Sequence, residues 1–136
     1  MKIYIDTCVY IDYWQQTRQK YRDLFEESNR LFTRCQQGEF EVVYSDWVEY
    51  ECAKKGYSNQ LNSLLATFPK KSYVKKTKAD EYAAKAMSSN FDDALHVILA
   101  INKKANILTS RNERDFYEFF DILKHNGIEF IEIGIL

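Results

Sequence analysis

The chain opens MKIYIDTCVYIDYW, with Asp6 directly after a short apolar, strand-like run. Burying an unpaired carboxylate costs several kcal/mol, so an acid there needs a cation, hydrogen-bond donors or solvent. Three more acids stand in comparable places. Glu51 falls on the helix expected after a second apolar run, Asp93 opens a later helix, and Asp115 lies with Asn112 in the loop after NILT. Carboxylates brought together repel and raise one another's pKa unless a cation joins them. Hard oxygen donors in such a ring suit Mg²⁺ or Mn²⁺. The chemistry open to the set is metal-assisted attack on a phosphate, provided the fold makes the four acids meet.

The elements that must position them alternate along the chain. Lys2 to Ile5 reads as a buried strand, and Tyr21, Leu24, Phe25, Ser28, Leu31, Phe32 and Cys35 recur at the spacing of one helix face, closed by Gly38. Phe40 to Tyr44 gives a second strand. Ser45 is placed to cap a helix towards Lys55 and Gly56, and Ser58 to cap another that Pro69 stops. Tyr73 to Lys75 reads as a short extended piece, Thr77 with Asp80 as a capping arrangement for a helix to about Met87, and Asp93 to Lys103 as a further helix. A strand at Asn106 to Thr109, a helix near Tyr117 to Lys124, a turn at Asn126 and Gly127 and a last strand at Ile128 to Ile133 complete the order. Runs such as IYI, VVY and NIL do not alternate with polar residues, which favours a parallel sheet covered on both faces. In such α/β sheets ligands bind beyond the carboxyl ends of the strands, where these acids converge.

Each residue alone also fits a plainer role. Asp6 suits a helix cap, and Asp92 and Asp93 both suit a helix start, where the macrodipole favours carboxylates. Adjacent helix residues point about 100° apart, so at most one of that pair faces the site. His96, one turn beyond Asp93, reads as a packed core residue beside Leu95 and Val97. Asp12 reads as a capping or ion-paired residue, and DFYEFF as a core-facing helix.

Composition bounds the setting. A chain of 136 residues with 46% hydrophobic and 15% aromatic content suits one folded domain over residues 1–136. The net charge of −1 hides an asymmetry: Lys54 to Lys85 holds eight lysines against two acids. That stretch reads as a solvated face or as a flank for phosphates, with Lys70, Lys71, Lys75 and Lys76 as the contacts. Three cysteines without CxxC spacing and two histidines make neither a disulfide framework nor a zinc site. No export signal or apolar membrane span is legible, so a reducing cytoplasm is expected.

Taken together, IDTCVYIDYW, SDWVEYE, DDALHVILAINKKANILTSRNERDF and the final strand resemble a PIN-domain ribonuclease, in particular the VapC-like toxins of toxin and antitoxin modules. The resemblance covers nearly the whole chain. It implies a three-layer α/β/α fold with a central, mainly parallel sheet and metal-dependent cleavage of RNA. Asp6 then matches the first acid, Glu51 the second and Asp93 the Asp before Ala-Leu-His. At the fourth position many members carry Asp three residues after the residue matching Thr109. Here that residue is Asn112, and Asp115, before Phe, becomes the fourth acid.

Under that resemblance Mg²⁺ or Mn²⁺ is held by Asp6, Asp93 and Asp115, with Glu51 completing the catalytic cluster. Thr7, Thr109 and Ser110 support ligands or phosphate oxygens, Asn112 offers a neutral oxygen, and Arg111 contacts phosphate. The expected substrate is single-stranded or loop RNA, where bases are open to reading. A homodimer and a cognate antitoxin covering the crevice are the implied partners. Two other classes stay open: an inactive PIN-like binding module, favoured by Asn112, and an Asp-nucleophile phosphatase, disfavoured by Cys8 two residues after Asp6.

Overall fold

The computed structural model describes all of residues 1–136. Five strands, β1 (Lys2–Ile5), β2 (Glu41–Ser45), β3 (Lys71–Val74), β4 (Ile107–Thr109) and β5 (Glu129–Phe130), form one parallel sheet in the order β3-β2-β1-β4-β5. Seven helices cover it: α1 (Thr7–Gln15), α2 (Leu24–Gln36), α3 (Asp46–Lys54), α4 (Ser58–Ala66), α5 (Lys78–Met87), α6 (Phe91–Asn102) and α7 (Phe120–His125). The chain winds outward from β1 to β3 and then crosses to β4 on the other side. Right-handed crossovers therefore lay α1 to α4 on one face and α5 to α7 on the opposite one. The α/β/α architecture with a parallel sheet is as the sequence predicts.

The central strands are apolar on both sides because both sides are covered. Ile3, Tyr4, Ile5, Val42, Val43 and Leu108 are fully buried and belong to one hydrophobic cluster of 33 residues. The amphipathic helices close over it: α2 buries Leu24, Leu31, Phe32 and Cys35, starts where the Asp23 side chain accepts from Glu26 N, and ends before Gly38 at φ +79°. Thr77 and Asp80 form a reciprocal capping box at the start of α5.

Three local readings are corrected, and one helix is added. Helix α1 shows no stripe in the sequence, because TCVYIDYWQ buries Thr7, Val9, Tyr10, Ile11 and Asp12; neighbours around most of the helix are apolar, and β-branched and aromatic residues are weak helix formers. Ser58 is the first residue of α4, with Tyr57 in the cap position and no side-chain cap bond. DFYEFF does send Phe116 and Phe119 into the core, but within a 3-10 segment, Glu113–Phe119, that precedes α7. The last strand is Glu129–Phe130 alone: Ile131 N and Ile133 N still bond to Leu108 and Ser110 carbonyls, while Glu132 turns aside to accept from Glu113 N.

Ser45 joins sheet and site. Its hydroxyl accepts from Val48 N at 3.1 Å, starting α3, and bonds the Tyr4 hydroxyl at 2.8 Å. Ser45→Ala loses a helix cap and leaves a buried hydroxyl with one partner fewer. It should lower unfolding free energy by roughly 1–2 kcal/mol, read as a lower urea midpoint at unchanged slope; an unchanged midpoint would refute the cap.

Candidate metal centre

The winding direction reverses between β1 and β4, and side chains from the end of β1, α1, α3, the start of α6 and the loop after β4 meet at the carboxyl ends of those two strands, the place where open α/β sheets keep their ligands. Asp6 follows β1 and stands in the cap position of α1, yet its side chain makes no cap hydrogen bond. Its backbone N–H is held by Thr109 O at 3.0 Å. The carboxylate, 6% exposed, accepts from Ser110 Oγ at 2.7 Å and Cys8 Sγ at 3.3 Å, and its other oxygen lies 3.2 Å from His96 Nε2. The capping role for Asp6 is thereby set aside: the carboxylate is turned into the crevice.

Glu51 comes from α3. Its Oε1 accepts from Thr7 Oγ1 at 2.7 Å and lies 2.6 Å from His96 Nε2. Burial opposes the ionised form, but the hydrogen bonds and charges of His96, Thr7 and Lys54 outweigh it and lower the Glu51 pKa. Asp93 comes from the first turn of α6, where Asn90 Nδ2 donates to its Oδ2 at 2.6 Å. Its carboxyl is pushed up to about 6, chiefly by burial and then by the Asp6 charge, with Asp115 adding to the effect. Asp6, Glu51 and Asp93 line one crevice with Thr7, Cys8 and Lys55. Asp92 borders it too, exposed, so the helix start presents both acids and not one.

His96 is the residue that sequence reasoning undervalued. It is buried, at 1% exposure, as a core histidine should be. Its Nε2 nevertheless serves both Asp6 and Glu51, and its Nδ1 meets the Tyr4 hydroxyl at 2.7 Å, which in turn meets Ser45. Hydroxyls rotate, so the chain Ser45, Tyr4, His96 satisfies a neutral ring or a charged one. Burial lowers the His96 pKa, but Asp6, Glu51 and Asp93 together raise it on balance. One oxygen each from Asp6 and Glu51 and one ring nitrogen of His96 lie within 4.8 Å of one another, close enough to hold one metal ion. The spacing signal was present: His96 is three residues after Asp93, one turn along the same face.

The remaining candidates are spread around this core. Ser110 holds Asp6, and Thr7 holds Glu51. Thr109 is fully buried and its hydroxyl has no partner. Arg111 borders the crevice but is committed to Asp12, through Nε at 2.8 Å and Nη2 at 2.5 Å, and Asp12 is 2% exposed; the ion-paired reading of Asp12 holds. Asn112 accepts from Arg22 Nη1 at 3.3 Å. Asp115 is exposed and lines a neighbouring depression with Asn112, Glu113 and Glu132. Lys71 opens the edge strand β3 and Lys70, Lys75 and Lys76 flank it, all outside the crevice lining; Lys76 pairs with Glu81 at 3.5 Å.

No family model matches the chain, and no curated protein matches it. Among solved structures it is similar to the crystal structure of VapBC2 from Rickettsia felis bound to a DNA fragment from their promoter, at 17% identity, with 97% of this chain and 98% of that chain covered and a TM-score of 0.54. At that identity the likeness establishes the fold. It is the fold the sequence resemblance implies. No helix is long and apolar enough to cross a membrane.

Two measurements follow from this geometry. Arg111→Met leaves Asp12 buried and unpaired, a change that typically costs about 3–5 kcal/mol. Urea unfolding should show that loss, and a loss under about 1 kcal/mol would mean that the pair is solvent-screened. Asp93 sets a pH dependence. Its folded pKa lies above the unfolded value, so the folded state binds more protons between about pH 4 and 6 and stability falls as pH rises through that window. In EDTA, wild type minus Asp93→Asn should show this fall, and a flat difference would refute the raised pKa.

Proposed function

We propose that this protein is a metal-dependent endoribonuclease that cleaves single-stranded or loop RNA, as the toxin of a toxin and antitoxin pair. The observation that carries the reading is the gathering of Asp6, Glu51 and Asp93 in one crevice with almost no free positive charge: Lys55 lies at its side and Arg111 is tied to Asp12. Oxygen donors that repel one another fit a hard divalent cation, Mg²⁺ or Mn²⁺. Asp6 and Asp93 would hold it directly or through water, with Glu51 completing the set and Asp115, the proposed fourth acid, acting from the neighbouring depression. A bound divalent ion supplies a water of lowered pKa and a countercharge for the leaving oxygen.

The chain's own residues do the rest. Ser110 and Cys8 hold one oxygen of Asp6, and the other faces His96 Nε2 at the crevice. Thr7 and His96 keep Glu51 ionised and pointed inward. Tyr4 fixes the ring plane of His96 from behind, as buried partners of site histidines do. A phosphodiester lying across the crevice meets Lys55 at its side. The Rickettsia felis structure is a VapBC complex, which supports an antitoxin as partner here; a homodimer in the cytoplasm completes the assignment.

Asn112 and Asp115 support a second reading, a PIN-like RNA- or protein-binding module without catalysis, because neither lines the crevice. Cleavage of total RNA with and without Mg²⁺ separates the two. Asp6→Asn and Asp93→Asn should each lower the rate by orders of magnitude while the far-ultraviolet circular dichroism stays unchanged. Asp115→Asn should lower it as well, if Asp115 is the fourth acid. Absence of any Mg²⁺-dependent cut in wild type would leave the binding module.

A further inference from the structure

We propose that Tyr50, stacked on Trp47 beside the acidic crevice, is a platform for one base of a single-stranded nucleic acid, with Lys54 and Lys55 meeting the neighbouring phosphates. The substrate class is taken from the ribonuclease reading above; the platform stands on separate observations.

Tyr50 directly precedes Glu51 on α3 and is 51% exposed. Its ring lies on Trp47 at 5.2 Å between centroids and 13° between planes. Trp47 packs edge-on against Phe91 at 5.8 Å and reaches the His96 ring at 6.5 Å. A continuous run of rings thus leads from the histidine that bonds Asp6 and Glu51 out to the half-exposed Tyr50 ring, over which the flexible Lys54 side chain lies. Trp47 Nε1 is buried with no acceptor.

The charges match a nucleic acid strand. Lys54 Nζ sits 5.4 Å from the Tyr50 ring centre, Lys85 Nζ 5.7 Å from that of Phe91, and Lys55 lines the crevice. The acids are inside and the lysines lie around the rings, so a backbone running outward from the crevice passes from the carboxylates to cations. A polyanion with flat, apolar bases complements that sequence of surfaces. Base–aromatic stacking tolerates any base and is worth about 1–3 kcal/mol per base, which corresponds to roughly 5- to 150-fold in affinity.

The probe is a short oligoadenylate RNA, compared with an abasic strand of equal length, both in EDTA so that nothing is cut. The chain has two tryptophans, so Trp14→Phe leaves Trp47 as the reporter. Oligoadenylate should quench Trp47 and bind at least about five times more tightly than the abasic strand. Tyr50→Ala should erase that advantage, and Tyr50→Phe should keep it. If Tyr50→Ala retains the preference for bases, the platform is wrong. If Tyr50→Ala instead converts a dimer to a monomer in sedimentation and the wild type shows no preference for bases, the ring belongs to a contact between copies. Base-dependent binding without any Mg²⁺-dependent cleavage would keep the platform and remove the nuclease reading, and cleavage without base-dependent binding would do the reverse.

Discussion

Three carboxylates held together at one end of a parallel sheet, with a buried imidazole between two of them, is the constraint that the neighbouring structure answers. Mutual repulsion would neutralise or disperse such a set. Dispersal is prevented by where the acids are anchored: Asp6 follows the central strand, Glu51 sits on a helix started by Ser45, and Asp93 sits in the first turn of α6, whose dipole favours a carboxylate. Neutralisation is opposed unevenly. Glu51 keeps its charge through His96 and Thr7, whereas Asp93, with only Asn90 as a neutral donor, is pushed up to about 6. The two differ in their partners: His96 and Thr7 bond Glu51 directly, whereas Asp93 feels His96 only as a nearby charge and is pushed up by burial and by Asp6 and Asp115.

That imidazole explains why polar side chains penetrate the middle of an otherwise apolar layer. Tyr4 belongs to a strand whose neighbours are Ile3 and Ile5, and its hydroxyl would be costly there without partners. Ser45 and His96 supply them. The polar row Ser45, Tyr4, His96, Glu51 runs from the cap of α3 back to the crevice. Building the cap and orienting the acid are one arrangement, and damage to either end is felt at both.

Much of the fold was legible because its strands are short apolar runs punctuated by helices with clear stripes. What escaped was local. Helix α1 is apolar nearly all round and so shows no stripe, and β5 gives way after Phe130 because Glu132 is drawn to Glu113 N and Arg22. For the site, the sequence placed Asp6, Glu51 and Asp93 at converging ends, since strand ends and helix starts follow from pattern alone. It was silent on commitments between side chains far apart in the chain. Nothing in the spacing says that Arg111 belongs to Asp12, and the place of His96 one turn after Asp93 on α6 does not say that its Nε2 meets Asp6 and Glu51.

The loop after β4 shows how those commitments divide adjacent residues between structure and site. Ser110 holds Asp6, but Arg111 is drawn sideways to α1 and Asn112 towards Arg22, which also pairs with Glu27 at 2.9 Å and Glu132 at 3.4 Å. Gly134 packs against the same Glu27, where a Cβ would come within 2.9 Å of Oε1. Arg22 therefore ties the start of α2, the loop after β4 and the C-terminal segment into one unit. A carboxylate at position 112 would meet a cation already shared by two acids. An amide there accepts from Arg22 without adding charge to that cluster, so Asn112 is accounted for by the tether, and negative charge near Asp93 on this side comes from Asp115.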